Sequence, residues 1–371
     1  MKIIHCADIH LDSRMTSNLK GNQAKERKHE LIGTFLKMIE YAVGEGVSAI
    51  IIAGDLFDTD YFSSTTANEV VNAITSHPGI AFYYLKGNHG GGDRFINELD
   101  EIPSNLYLFG NEWKTYILSD NGRSKITLSG IELVKENSGT ACAMLNLDPD
   151  DLNIVTLHGQ AETYNSEHSP EAIGLNELRN KSIDYLALGH FHEYQTGDIP
   201  PRGTYCYCGC LEGRGFDECG RHGFILLDIN DDDHRDWKYE LKDISKRKIF
   251  ELKVDISDCT DTPGINNRIL ASAAENGCSE NDLVKVVLTG SVDMDCEKNI
   301  EYLTQKLNEK FYFAKVEDKT KILIDYADYE LEASLKGEFV RLVRGDESIG
   351  DEEKAEIIRY GIKALNGEDF E

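Results

Sequence analysis

The stretch VSAIIIAGDLFD, residues 47–58, decides how the chain is read. Its apolar run is continuous rather than alternating, and it stops on Gly54, Asp55 and Asp58. A short unbroken run rich in β-branched residues marks a strand buried on both faces, as in a sheet covered by other layers. Comparable runs lie at KIIHCAD (2–8), IAFYYLKGN (80–88), LNIVTLHG (152–159) and DYLALGHFH (184–192). Between the first three, residues 26–43 place Leu31, Ile32, Phe35, Leu36, Ile39, Ala42 and Val43 at helical spacing, with Gly44 as the expected stop. TTANEVVNAITSHPG (65–79) reads as a second helix. Beyond residue 105 the pattern turns β-rich, through KITLSGIEL, TYCYCGC and GFILLDI. Strands separated by helices, in runs buried on both faces, predict a layered α/β sheet.

At 371 residues and 40% hydrophobic content the chain can bury more than one core. Residues 230–248 are strongly polar and suit a boundary, so a first domain is expected over 1–247. IFELKVDI, DLVKVVLTG and KILIDY, with helical patterns over 264–276 and 297–310, predict a small α+β domain over 248–332. A helical tail is expected over 333–371. One helix carries Leu335, Phe339, Leu342 and Val343 on a face, and the other carries Ile358, Ile362 and Leu365. Ser348 and Asp351 have the spacing of a capping box before the second helix.

The formal net charge of −27 argues against gripping nucleic acid by bulk charge, and leaves room for a local basic groove, ions or a basic partner. The start MKIIHCADIH lacks a long apolar core and a cleavage pattern, so no signal peptide is expected. No run is long and apolar enough to predict a membrane span. Nine cysteines, an odd number, suit reduced thiols in a cytoplasm. Cys206, Cys208 and Cys210 alternate along a predicted strand, with Cys219 near. Small buried thiols are the simpler reading of that pattern, because its spacing is not that of a zinc site.

Each apolar run ends in polar residues. Asp8 and His10 follow the first, Asp55 and Asp58 the second, and Asn88 and His89 the third. His158 ends the fourth, and His190 and His192 the fifth. Ligands bind at the carboxyl ends of strands in open α/β sheets, so five runs deliver oxygen and imidazole groups to one edge. Taken singly, a buried histidine is a core residue and GDLFD or GNH is a turn. Together they suit divalent manganese, iron or zinc.

In order, D-x-H, G-D-x-x-D, G-N-H, H-G and G-H-x-H resemble the signature of the calcineurin-like metallophosphoesterase superfamily. ADIHLDS, AGDLFD, YCGCLEGRGFDECGRHGF and the tail resemble its DNA repair exonuclease branch, the SbcD-type or YhaO-type nucleases. The resemblance implies an α/β fold, a layered metallophosphoesterase β-sandwich flanked by helices with a small C-terminal α+β domain and helical tail, and two divalent ions, manganese first. Asp8, His10 and His192 would hold one, Asn88, His158 and His190 the other, and Asp55 would bridge them. His89 would be unligated and would face the phosphate. The resemblance also implies a nuclease domain over 1–247, a capping or DNA-binding domain over 248–332, and as partners DNA and an SbcC-like, SMC-type ATPase. A homodimer is a further expectation. Gly90 stands where the family usually carries an acid that orients the histidine, which makes Asp93 the candidate substitute. Asp58 is given no ligand role. A small-molecule phosphodiesterase, a phosphatase and a catalytically weakened scaffold subunit remain open alternatives.

Overall fold

The computed structural model describes residues 1–15, 19, 21–59, 62–89, 91–162, 171–293, 296–323, 329 and 332–366. The chain divides into two compact units, Met1–Lys248 and Ile249–Glu371.

The first unit runs β1 (Lys2–Cys6), α1 (Asn22–Glu45), β2 (Ala49–Ala53), α2 (Ser64–Thr75), β3 (Ala81–Leu85), α3 (Gly91–Asn97) and β4 (Leu106–Leu108). It continues through β5 (Lys114–Asp120), β6 (Lys125–Gly130), α4 (Ala141–Met144), β7 (Leu152–His158), β8 (Gln160–Glu162), β9 (Ala172–Gly174) and α5 (Leu175–Leu178). It ends with β10 (Tyr185–Gly189), β11 (Gln195–Ile199), β12 (Gly203–Tyr207), β13 (Gly223–Ile229) and β14 (Trp237–Asp243). Two six-stranded sheets result, in the orders β14-β13-β1-β2-β3-β4 and β11-β12-β10-β7-β6-β5.

Strand β2 explains the layering. Ile50 and Ile52 point to one side, where Phe35, Met38 and Ile39 of α1 and Val70 and Ile74 of α2 cover them. Ala49, Ile51 and Ala53 point to the other, against Ile126, Ile154, Tyr185 and Cys206 of the second sheet. That sheet buries its outer face, with Val155, Leu157, Leu186 and Leu188, under Ile131, Ala141, Leu145 and Leu178. Side chains alternate along a strand, so burial on both faces demands the unbroken apolar run seen in the sequence. Within the first sheet β1, β2 and β3 are parallel, and within the second β7 and β10 are parallel. The carboxyl ends of each set therefore open on one edge.

Helix α1 passes through Gly44 and stops at Gly46, which is left-handed at φ 68° and whose N–H bonds the carbonyls of Ala42 and Val43. A glycine ends a helix where the backbone needs that conformation, and Gly46 meets the need rather than Gly44. Inside this unit Arg27 is fully buried, with Nη1 2.5 Å from Glu30 and 2.9 Å from Glu212. Glu212 also accepts from Thr34 Oγ1 at 3.0 Å and from the main-chain N–H groups of Lys246 and Arg247. Arg247 Nε reaches Glu30 at 3.0 Å. Helix α1, the segment after β12 and the end of the unit are thus tied by one buried ionic cluster.

The second unit contains β15 (Ile249–Asp255), α6 (Thr262–Glu275), β16 (Leu283–Thr289), β17 (Ser291–Asp293), α7 (Ile300–Asn308), β18 (Phe313–Asp318) and β19 (Lys321–Leu323). Strands β15, β16 and β18 pair in parallel, so the connections between them are helical crossovers rather than hairpins. Their apolar side packs Val254, Val286 and Leu288 on Ile265, Ile269, Leu303 and Leu307. Two further helices follow, α8 (Leu335–Gly345) and α9 (Asp351–Asn366). Val340, Ile358 and Ile362 form their shared core, with Phe339 and Val343 packed against it. Leu335 and Leu342 remain 72% and 67% exposed, so the expected stripe is split between an inner and an outer face. The capping box is not formed, because Ser348 Oγ donates to Asp346 Oδ1 at 2.6 Å.

The Arg27 cluster yields a stability prediction. Breaking a buried ion pair by removing one partner costs about 3–5 kcal/mol. Arg27→Met is expected at the low end, about 3 kcal/mol, because Glu30 keeps Arg247 and Glu212 keeps its backbone donors. Urea unfolding followed by tryptophan fluorescence measures it, and a midpoint equal to that of the parent protein refutes it.

Candidate metal centre

The residues after the parallel strands leave the strand conformation at once. Asp8, His10, Asp55 and His190 have φ of 50°, 47°, 50° and 112°, in the left-handed half where side chains are costly. Such strain collects at functional sites and persists only when neighbours over-determine it. The neighbours here are backbone bonds between successive strand ends. Asp8 N donates to Gly54 O at 3.1 Å, His10 N to Asp55 O at 3.0 Å, and Asp55 N to Lys86 O at 3.0 Å. His190 N donates to both Asp8 carboxylate oxygens, at 3.1 and 2.9 Å. Two glycines admit the side chains. A Cβ on Gly54 would lie 2.0 Å from His158 Nδ1, and one on Gly87 2.4 Å from Asp55 Oδ1.

Three groups of side chains bring single donor atoms within 4.8 Å of one another: Asp8, His10 and His192; Asp8, Asp55 and His158; and His10, Asp58 and His89. Asn88 joins the second through Oδ1, 3.0 Å from His158 Nε2. Asp8 and His10 each belong to two groups, and Asp55 to one. His190 belongs to none of the three; its ring stands edge-on to His158 with centroids 5.5 Å apart, and its main chain holds Asp8. Cysteine contributes to none of these groups either. Cys206 and Cys208 are buried between the sheets, and Cys210 lies 3.3 Å from His222 Nδ1.

The hydrogen bonds at the back of each imidazole decide what its front offers. His158 Nδ1 lies 2.9 Å from the Ala53 carbonyl, which only accepts, so Nδ1 carries a proton. The Nε2 of neutral His158 is then a lone pair facing Asn88 Oδ1 at 3.0 Å and Asp55 Oδ2 at 3.2 Å. Asn88 Nδ2 donates to Glu171 Oε1 at 2.9 Å, which turns the amide oxygen inward. With His158 neutral, three acceptors thus meet, and a cation, either a proton on His158 or a metal ion, satisfies them. Likewise His192 Nδ1 donates to Glu218 Oε1 at 2.6 Å, and its Nε2 faces His10 Nε2 at 3.1 Å. The donor set therefore fits divalent metal.

The electrostatics agree. Burial, with Asp55 close by, pushes the Asp8 carboxyl up to about 6 against the pull of His158 and His192. Burial would also raise Asp55, but the His158, His10 and His89 imidazoles bring it down to about 2. Burial opposes charge on His158, yet its bond to Asp55 and the nearby Asp8 carboxylate raise it to about 9. A proton on His158 thus supplies the missing cation in the metal-free chain, and metal displaces it. Burial lowers His10 to about 4, which favours its neutral, ligating form.

His89 Nδ1 donates to the Asp58 carbonyl at 2.8 Å, and its N–H bonds Asp55 Oδ1 at 3.1 Å. The carbonyl of Asp58 does the orienting expected of Asp93, whose carboxylate pairs with Lys86 Nζ at 2.5 Å instead. Gly90 lies outside the described residues. Sequence reasoning missed Arg214, Glu218 and Glu171. All three act from behind the donor atoms, where neither an apolar run nor a motif marks them. For Glu218 the one available signal was an acid inside the glycine-punctuated GRGFDECG.

A family model described as calcineurin-like phosphoesterase matches residues 1–194. The chain is 28% identical over 249 residues to the uncharacterized metallophosphoesterase YhaO of Bacillus subtilis strain 168. That similarity covers 63% of this chain and 58% of YhaO, so the chain spans less than two thirds of that relative's length. Among solved structures, a dimetal phosphatase from Danio rerio is 11% identical, with a TM-score of 0.40, covering 61% of this chain and 92% of its own. At that score the likeness is too loose to bear on the site. Residues 1–194 of 371 hold every clustered donor described above, and by that match this chain belongs to the calcineurin-like phosphoesterase family.

Proposed function

We propose that the chain is a two-metal phosphodiesterase that cuts DNA. The observation that carries the metal half is the convergence of His158 Nε2 with Asn88 Oδ1 at 3.0 Å and Asp55 Oδ2 at 3.2 Å, a set that a cation alone satisfies, whether a proton on His158 or a metal ion. Asp8, His10 and His192 would hold one ion and Asn88, His158 and His190 the other, with Asp55 shared. Oxygen and imidazole donors without thiolate support manganese, with iron or zinc as the alternatives. When bound, two divalent ions supply Lewis-acid stabilisation of a phosphoryl group and make water nucleophilic at neutral pH.

The chain's own part is orientation and one proton. Asp55 takes the His89 N–H, and the Asp58 carbonyl takes Nδ1–H. His89 Nε2 is left to carry the proton delivered to the leaving oxygen. The imidazole is 44% exposed, so a substrate reaches it without any rearrangement of the core.

The second compact unit and its helical pair support DNA as substrate, because hydrolysis of a mononucleotide needs neither. The same features support an SMC-type ATPase as partner, docked on the outer face of α8 and α9, where Leu335, Leu342 and Tyr360 are exposed. An ATPase would also bring the positive surface that a chain of −27 lacks. Nine cysteines without disulfides support a reducing cytoplasm as the setting. Among the described residues no helix is long and apolar enough to cross a membrane.

Three outcomes are expected. First, His89→Ala keeps its metal and loses turnover by about 10²–10⁴-fold, the usual worth of general acid help, whereas Asp55→Asn loses metal as well. Elemental analysis beside initial rates separates the two, and metal loss in His89→Ala refutes the role given to it. Second, with manganese present, duplex or single-stranded DNA is turned over faster than a cyclic nucleotide or a nitrophenyl phosphodiester. The reverse order assigns the site to small phosphodiesters. Third, Leu335→Glu with Leu342→Glu spares nitrophenyl ester hydrolysis and abolishes co-purification with the ATPase. Retained association refutes the docking face.

A further inference from the structure

His10 and His192 stand with Nε2 atoms 3.1 Å apart and ring centroids 4.9 Å apart. Each has a carboxylate at its far nitrogen. Glu218 Oε1 accepts from His192 Nδ1 at 2.6 Å, and Asp58 Oδ1 lies 3.2 Å from His10 Nδ1, close in charge but not aligned as a hydrogen bond. One guanidinium joins the two carboxylates. Arg214 Nη1 donates to Asp58 Oδ1 at 2.8 Å, while Nη2 and Nε donate to Glu218 Oε1 at 2.7 and 3.0 Å. Arg214 Nη2 is also 3.1 Å from His192 Nδ1. That nitrogen already donates its proton to Glu218 over the shorter distance, so the approach is a neighbour contact and not a second bond.

We propose that Arg214 is a positioning residue for the Asp8, His10 and His192 ion site: by clamping Asp58 and Glu218 together, it keeps both imidazoles turned with Nε2 toward the same point. The proposal rests on the metal reading given above. A carboxylate behind a histidine fixes its tautomer and its ring orientation. Two such carboxylates come here from distant parts of the chain, Asp58 after β2 and Glu218 between β12 and β13. Alone they would repel each other and swing separately. A guanidinium has N–H groups in a rigid fork and can hold both, whereas a lysine ammonium is a single point on a flexible stem.

The segment that carries the clamp is itself anchored. Glu218 N bonds Gly215 O at 2.9 Å, and Arg214 N bonds Glu218 Oε2 at 2.6 Å. Two residues before Arg214, Glu212 is held by Arg27, Thr34 and two main-chain N–H groups. The guanidinium is 20% exposed and its partner Glu218 is 4% exposed, so the clamp works largely out of water.

The other ion site has no such dependence. His158 is oriented by the Ala53 carbonyl, a backbone group, and Asn88 by Glu171. Loss of Arg214 should therefore weaken one ion and leave the other. Partners of this kind typically contribute about 10–100-fold to metal affinity.

The test is a manganese titration of the full chain after chelation, with free Mn2+ counted by electron paramagnetic resonance. The parent protein is expected to bind two ions. Arg214→Gln should keep one at parental affinity and bind the other about 10–100-fold more weakly, and Arg214→Lys should fail to restore it. Glu218→Gln, nearly isosteric, should weaken the same single ion, and it serves if circular dichroism finds Arg214→Gln unfolded. Two ions at parental affinity in either folded variant, or equal weakening of both, overturns the proposal. A parent protein that binds no manganese overturns the metal reading itself.

Discussion

The buried bond between His158 Nδ1 and the Ala53 carbonyl, 2.9 Å long, is the constraint on which the centre depends. It crosses from the end of β7 in one sheet to the end of β2 in the other. The two sheets can approach closely enough only because glycines stand beside it. A Cβ on Gly189 would lie 2.0 Å from the same Ala53 oxygen, and one on Gly54 2.0 Å from His158 Nδ1. The bond also chooses the imidazole tautomer, and through it the face that Asn88 and Asp55 share. Sheet packing and ligand chemistry are therefore one event here. The interior that joins the sheets also sets the spacing of the donors at their edge.

Much of this was legible in the residues. Apolar runs such as AIIIA could only be strands buried on two faces, and the polar residues that end them had to gather at one edge. What was not legible is what the chain does just past those ends. Asp8, His10 and Asp55 take left-handed backbone without being glycine, and no pattern announces it. Their conformations are imposed by bonds between strand ends far apart in sequence. Arg214 and Glu218 were hidden for the same reason, since their roles exist only through contacts with His192 and Asp58. Asp93 illustrates the opposite error. It sat close in sequence to His89, but Lys86, bound also to Glu132, takes its carboxylate. Gly44 carried a stop signal that Gly46, two residues on, fulfilled, and Ser348 a capping signal that its own hydroxyl leaves unmet by turning back to Asp346.

The acidic balance of the chain and the chemistry of its centre belong together. A phosphoester carries negative charge, and so do Asp8, Asp55, Asp58 and Glu218 around the site. Burial holds these carboxylates in place, while imidazoles and Arg214 keep Asp55 and Glu218 ionised, Glu218 well below the usual carboxylate range. Among the described residues, the Arg214 guanidinium drawn into this cluster is already engaged by Asp58 and Glu218. On the proposed reading, attraction of a phosphate would therefore fall to the ions that the acceptors collect and to the exposed imidazole of His89. On the proposed two-metal reading, a centre built in this way would repel a phosphoester when empty and bind it when loaded, so metal occupancy would govern substrate binding as well as the chemical step.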